Sequence, residues 1–134
     1  MSACVVDTDV VIAALDRGDA HHGRATRAIG EMVEAGVELM MSTVNYAEAL
    51  VRPSEDERAL GRAMDAMRML GIRVVAPTAP MAVEAARLRN LGISLPDGFA
   101  LATAKAERAA VASFDRRVRR ALADAGLTLA PQLG

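Results

Sequence analysis

The feature that most constrains the fold is a recurring order of three parts: a short apolar run, an acidic residue and a helical pattern. Asp7, Asp97 and Asp115 each close an apolar run and open a helical one. Strands that alternate with helices build a parallel sheet covered on both faces. In such a sheet, the carboxyl ends of the strands meet at one crevice, where ligands bind. The sequence therefore predicts an α/β fold with acids gathered at one edge.

The remaining elements follow from periodicity and from helix start and stop signals. We expect strands at residues 3–6, 37–42, 72–76 and 109–113, and a final short strand at 127–129. We expect helices at residues 8–15, 20–35, 43–51, 54–70, 80–91, 97–108 and 116–125. Ser54 is expected to cap one of them, with Glu57 three residues later. No repeat or linker interrupts the pattern, which predicts a single three-layer α/β/α domain over residues 1–134 with a mostly parallel central sheet.

Composition narrows the classes of protein that fit. Aromatic residues make up only 2% of the chain, so the core must consist of Ala, Val, Leu, Ile and Met. A net charge of −1 excludes a strong overall attraction for nucleic acid, although a local basic patch is compatible with it. Cys4 is the only cysteine, which excludes an intrachain disulfide. No signal peptide or membrane-length apolar run is visible, so we expect a soluble cytoplasmic protein with no membrane contact.

The acids have two interpretations. Asp7, Asp97 and Asp115 could cap the helices that they precede. Together they could instead bind a divalent cation, because carboxylate oxygens suit Mg²⁺ or Mn²⁺. Glu48 lies inside a helical pattern and therefore cannot be a cap. It could pair with Arg52 on the surface, but apolar residues at i−4 and i+3 place it at the border of the buried stripe.

Four segments resemble the motifs of PIN-domain ribonucleases, in order and at family-like spacing. They are VVDTDVVI at residues 5–12, STVNYAEAL at 42–50, LPDGFALATA at 95–104 and SFD at 113–115. The resemblance spans nearly the whole chain and implies a PIN-like fold. The compact size resembles that of the VapC-type toxins of toxin–antitoxin pairs.

The resemblance implies roles for individual residues. Asp7, Glu48, Asp97 and Asp115 match the four acidic metal-binding positions, and Ser113 matches a small hydroxyl residue near them. Asp9 departs from the pattern, which more often has Asn, Ser or Thr there. Its charge could add a metal contact, or repulsion could keep it protonated. The implied reaction is Mg²⁺- or Mn²⁺-dependent hydrolysis of RNA phosphodiesters.

The implied partners are an RNA substrate, a cognate antitoxin and a second copy of the chain. The helix predicted at residues 54–70 carries an apolar stripe that suits a homodimer, although burial in the core would also explain it: Leu60, Met64, Met67 and Leu70. Four arginines follow the last acid and either contact RNA phosphates or form a solvated helix face: Arg116, Arg117, Arg119 and Arg120. His21 and His22 match no motif, and we expect both to be exposed to solvent.

Two other functions fit parts of the sequence. Asp7 and Asp9 match the D-x-D opening of haloacid-dehalogenase-like phosphatases, with the first as nucleophile and the second as acid/base. Those enzymes need a supporting lysine, but Lys105 lies in the middle of a predicted helix, and Glu48 would have no task. The second alternative is a non-catalytic binding module of the same fold, in which the acids serve only as caps.

Overall fold

The central strands are buried on both faces, so the sheet forms the middle of three layers. The computed structural model describes residues 2–134. Its strands are β1 (Ala3–Val6), β2 (Glu38–Ser42), β3 (Arg73–Val75) and β4 (Ala110–Ala112). They form a sheet in the order β3-β2-β1-β4, and every pairing is parallel. The predicted parallel α/β/α architecture is therefore confirmed.

Helices cover both faces of this sheet. They are α1 (Thr8–Leu15), α2 (His22–Glu34), α3 (Thr43–Leu50), α4 (Glu57–Met69), α5 (Ala79–Asn90), α6 (Leu95–Glu107) and α7 (Arg116–Ala121). Successive strand side chains point to opposite faces. Val6 and Met41 therefore pack in the cluster that also contains residues of α1, α2 and α4, whereas Val5 and Met40 pack in the cluster with residues of α5, α6 and α7.

The start of one helix, the end of another and the final strand differ from the sequence-based expectations. Ser54 does not cap α4, because residues 53–55 form a short 3₁₀ helix in which its hydroxyl donates to the Val51 carbonyl. Asp56 caps α4 instead, accepting a hydrogen bond from the Arg58 N–H. The last helix ends at Ala121 rather than at residue 125, and the predicted final strand is reduced to one bridge between Leu129 and Val111.

The start of α6 differs in a way that bears on the site. Asp97 does not follow a strand; it lies in the first turn of α6, and Ser94 is the N-cap. Close packing against α5 holds this turn. A methyl group on Gly98 would lie only 3.1 Å from Cα of Ala85, closer than such atoms normally approach. Glycine at 98 therefore allows α5 to pack directly against the turn that carries Asp97.

Candidate active site

Asp7 lies at the centre of the candidate site. It follows β1 and caps α1, with its carboxylate accepting from the Thr8 N–H at 2.9 Å. Its other oxygen accepts from the Ser113 hydroxyl at 2.9 Å, and its own N–H donates to the Ala112 carbonyl. The side chain is buried, with 1% of its surface exposed. Asp7 therefore both caps α1 and belongs to the candidate site, so the two interpretations of this residue are compatible.

Burial and neighbouring charge keep a proton on Asp7. Desolvation, followed by the charges of Asp97 and Asp9, raises the pKa of this carboxyl from 3.8 to about 8. Hydrogen bonds from Ser113 and Thr8 act in the opposite direction, because they favour the charged form. A positive charge beside this carboxyl would lower its pKa and favour the deprotonated form.

Asp9 forms the second buried part of the site. One of its oxygens accepts from the Phe114 N–H at 3.0 Å, and the other, Oδ1, is buried with no hydrogen-bond partner. Desolvation raises its pKa to about 6, although hydrogen bonds from Phe114 and Val10 act against the shift. The charges of Asp97 and Asp115 raise it further. Both expectations for Asp9 therefore find support: neighbouring charges favour its protonated form, and Oδ1 is free to contact a ligand.

Ser113 links Asp7, which follows β1, to Asp115, which follows β4. Its hydroxyl donates to Asp7 and accepts from the Asp115 N–H at 3.1 Å. Asp115 caps α7 by accepting from the N–H groups of Arg117 and Val118. The charges of Asp97 and Asp9 act on Asp7, and those of Asp97 and Asp115 act on Asp9. Ser113 lies between Asp7 and Asp115.

Glu48 does not join this set as it stands. Its side chain is exposed on α3, and Val51, expected to help bury it, is itself 65% exposed. Among residues 2–134 no ion pair joins Glu48 to Arg52. Glu48 instead lines a groove of about 900 Å³ between α1, α3 and α4. We call this the apolar groove; its walls include Ile12, Leu15, Ala49, Val51, Ala59, Ala63 and Ala66.

Asn45 is a site residue that the sequence interpretation missed. Its amide donates to the Thr8 hydroxyl and the Pro96 carbonyl, both at 3.1 Å, and reaches Asp7 at 3.5 Å. The side chain is fully buried, and its Oδ1 has no partner. It therefore ties α3 to the segments that carry Asp7 and Asp97. A polar residue three positions before Glu48, on the same helix face, was the available signal.

The oxygen atoms of this cluster are the candidate ligands for a divalent cation. Within the described part of the chain, no three His, Cys, Asp or Glu side chains are already spaced to hold a metal ion. The chemistry nevertheless fits: hard carboxylate oxygens are clustered, two of the carboxyls have raised pKa values, and Asp9 Oδ1 is buried without a partner. A cation would offset the repulsion that the cluster now carries.

The basic and histidine residues divide between structural and exposed positions. Arg119 donates from Nε to the Ser113 carbonyl at 2.8 Å, so it braces the loop that bears Asp115. Arg116, Arg117 and Arg120 are exposed. His21 is exposed and stacks on Phe114 with ring centroids 4.5 Å apart. His22 was expected to be exposed as well, but it is partly buried because its ring lies 2.8 Å from the Ala13 carbonyl.

The chain is a parallel α/β/α domain with aspartates grouped around buried Asp7, and comparison with known proteins identifies its family. The PIN domain matches residues 4–122. The chain therefore belongs to the PIN-domain family. It has no significant sequence match among curated proteins.

Solved structures share the fold at low sequence identity. VapC20 of Mycobacterium tuberculosis, described as a sarcin-ricin loop cleaving toxin, has a TM-score of 0.70 at 21% identity, over 88% of this chain and 94% of that one. FitAcB from Neisseria gonorrhoeae has a TM-score of 0.70 at 18% identity, over 96% and 97%. VapBC-1 from nontypeable Haemophilus influenzae also has a TM-score of 0.70, at 17% identity, over 98% and 99%. These similarities establish the fold.

Proposed function

We propose that the protein is a Mg²⁺- or Mn²⁺-dependent endoribonuclease and the toxin of a toxin–antitoxin pair, acting in the cytoplasm. The observation that carries the proposal is the cluster formed by buried Asp7 with Asp9, Asp97 and Asp115. Membership of the PIN-domain family and structural similarity to VapC20, a toxin that cleaves the sarcin-ricin loop, support it. No helix in residues 2–134 is long and apolar enough to cross a membrane.

The chain's own residues supply binding, orientation and proton control. Asp7, Asp97 and Asp115 would hold the cation, with Asp9 Oδ1 as a further donor. Glu48, one turn beyond Asn45 on α3, would join them from the rim. A bound Mg²⁺ or Mn²⁺ supplies positive charge that neutralises the phosphodiester and activates water. Ser113 and Asn45 hold Asp7 in place, and Asp7 would bind a cation as the carboxylate, with its proton released to solvent.

The phosphatase alternative loses its support in the structure. Lys105 lies in the last turn of α6 and pairs with Glu84 at 3.7 Å, so it is engaged away from Asp7. Asp9, the acid/base of that alternative, has one oxygen fixed by the Phe114 N–H. The non-catalytic alternative is decided by experiment.

Cleavage of RNA by the purified chain tests the proposed activity. We expect cleavage with Mn²⁺, none in chelator, and none for Asp97→Asn in either condition. Asp65→Asn, which removes the same charge from the exposed face of α4, is the matched control and should cleave like the wild type. A wild type that binds Mn²⁺ but leaves all RNA intact would place the protein among the non-catalytic binding modules.

The apolar groove is the proposed docking site for an antitoxin. It lies between α1, α3 and α4 with Glu48 on its wall, so an amphipathic segment seated there would reach the acids with an inserted Arg or Lys. Binding should then stop cleavage. The measurement is cleavage with increasing amounts of the product of the adjacent gene. Undiminished cleavage in a stable stoichiometric complex would rule out occlusion.

A pair of substitutions separates the groove from the rest of the surface. Val51→Asp places a charge in the apolar groove and should weaken antitoxin binding without reducing cleavage. Val83→Asp, on an exposed position of α5, is the matched control and should leave both unchanged. Equal weakening by both variants would contradict docking in this groove.

We also propose a homodimer that buries the exposed part of α4 and part of the neighbouring helix α3. The apolar stripe is divided: Met67 is buried in the core, whereas Met64 is 40% exposed and available to a partner. Met side chains adapt well to apolar partners. Sedimentation should show a dimer at tens of micromolar, shifted towards monomer by Met64→Glu. A wild-type monomer at that concentration would exclude the proposal.

A further inference from the structure

A second groove is formed by elements that pack on the opposite face of the sheet from α4. It has a volume of about 680 Å³ and is formed by α5, the segment that joins α5 to α6, α6 and the last helical region. We call it the basic groove. Its charged wall residues are Arg87, Lys105, Arg117, Arg120, Glu84 and Asp124. No aromatic residue lines it, so base stacking is not available there.

Positive charge is concentrated in this groove although the chain as a whole carries −1. Four of its wall residues are cationic and two are anionic. Glu84 lies 3.7 Å from Lys105 and 4.0 Å from Arg87, so one carboxylate is shared between two cations. Arg117 and Arg120 form no ion pair with any described side chain. Two guanidinium groups are therefore free to meet an anionic ligand.

The arginines after Asp115 divide according to the helix face they occupy. Arg117 and Arg120 are three residues apart on α7, share one face, and line the basic groove. Arg119 is fixed to the Ser113 carbonyl. Val118 is fully buried beneath them and sets the rotation of the helix. The geometry thus assigns two of the four arginines to a ligand surface and one to support of the loop.

The basic groove adjoins the acids through its own walls. Arg117 follows Asp115 by two residues, and Ile93, on the wall, precedes Asp97 by four. Hydrogen bonds join Ser113 to Asp7 and to the Asp115 N–H, and Asn45 donates to both Asp7 and the Pro96 carbonyl, so the starts of α6 and α7 both lie beside Asp7. A polyanion lying in the groove would therefore pass from the arginines towards the acid cluster.

We propose that the basic groove binds the sugar–phosphate backbone of RNA on one side of the bond that is cleaved. This inference rests on the proposed ribonuclease function and adds the path of the substrate. Guanidinium groups suit phosphate oxygens, and the lack of aromatic walls makes the contact independent of sequence. The groove thus contributes affinity and orientation, and the cleavage preference arises elsewhere.

RNA binding in a cleavage-deficient background tests the groove directly. In Asp97→Asn chains, Arg117→Gln with Arg120→Gln should raise the Kd of a labelled single-stranded RNA about tenfold at low salt. The slope of log K against log salt should become shallower by about 1.4, since each lost phosphate contact contributes about 0.7. The control is Arg27→Gln with Arg58→Gln, which removes equal charge from α2 and α4 on the opposite face of the sheet. It should leave the slope unchanged.

The outcomes separate this inference from the proposed activity. In the cleaving chain, the Arg117/Arg120 substitutions should raise KM and leave kcat nearly unchanged. Equal loss of binding in both double variants, or none in either, overturns the basic groove even where the wild type cleaves RNA. Loss of antitoxin binding with RNA binding intact also overturns it. If the wild-type chain binds RNA through the basic groove but never cleaves it, the groove is supported and the nuclease proposal is wrong.

Discussion

Asp7 and Glu48 match two acidic positions of the same family pattern, yet the structure gives them opposite environments. Asp7 is 1% exposed, is held by Ser113, and has a pKa of about 8. Glu48 is exposed and lines the apolar groove. Burial sets their chemistry. A cation strongly stabilises the charged form of a desolvated carboxyl near like charges, whereas it stabilises a hydrated carboxylate only weakly. Two residues that match acidic positions of the same family pattern therefore need not contribute equally to the site.

The largest expected effect is on cleavage. Asp7→Asn should abolish Mn²⁺-dependent cleavage, because the substituted amide cannot supply an anionic oxygen to the cation. Glu48→Gln should reduce cleavage by about 10- to 100-fold, as for a group that acts through the rim of a metal site. Initial rates at saturating RNA and Mn²⁺ measure both. Equal losses in the two variants would place Glu48 in the centre with Asp7.

Asn45 sharpens the comparison of Asp7 with Glu48, because it contacts the buried Asp7 and lies on the same helix as the exposed Glu48. Asn45→Ala should lower cleavage by about 10- to 100-fold and raise the Mn²⁺ requirement, since Asp7 and the Pro96 segment lose a shared donor. Thr103→Val, a buried polar substitution within α6, is the control for general destabilisation. Titration of rate against Mn²⁺ at a temperature far below Tm measures the effect. A Mn²⁺ requirement identical to that of the wild type would reduce Asn45 to a purely structural role.

The pH dependence of stability tests the buried carboxyl. Between about pH 4 and pH 8, folded Asp7 keeps a proton that the unfolded chain has released, since its pKa rises from 3.8 to about 8. Stability is therefore full below the lower value and falls as pH rises through the higher one. Urea unfolding in chelator should show a loss of at least about 2 kcal/mol across this range. Asp7→Asn should remove most of the slope; an unchanged slope would assign it to other groups.

The smallest expected effect concerns Asp97 and its helix. The cap of α6 is Ser94, so Asp97→Asn in chelator should change stability by less than about 1 kcal/mol, and removal of its charge favours the folded state. Asp115→Ala removes the cap of α7 and should cost about 1 kcal/mol. Thermal melting without metal compares the two. A far lower Tm for Asp97→Asn would show that its carboxylate supports the helix.

Sequence reasoning recovers the parts of this molecule that depend on local pattern. The parallel sheet, α1 at Thr8–Leu15 and the placement of Asp7 after β1 all follow from short apolar runs and helix signals. Asp97 was expected to follow an apolar run and open a helix, but the Leu95-Pro96 pair already belongs to α6, because Ser94 can cap the helix and proline fits the first turn. Local sequence could not decide between those two uses of the same residues.

The site depends on contacts between distant segments, which local pattern does not encode. Asn45 meets Thr8 and Pro96 only after α3, α1 and α6 have packed. Arg119 was grouped with its neighbours as either an RNA contact or part of a solvated helix face, yet its guanidinium donates to the Ser113 carbonyl once α7 has packed. The exposure of Glu48 likewise follows from how α3 is rotated in the assembled domain. Roles such as these are fixed by tertiary geometry.

The close contact between Ala85 and Gly98 makes a position without any chemistry a constraint on evolution. A side chain at 98 would press on Ala85 and displace the first turn of α6 with Asp97, although every acid would still be present in the sequence. The atoms that it would meet include Cα and the carbonyl oxygen of Ala85, so no substitution at 85 could relieve the contact, and glycine is required at 98 itself. Loss of function could thus arise in a chain whose acidic residues are all intact.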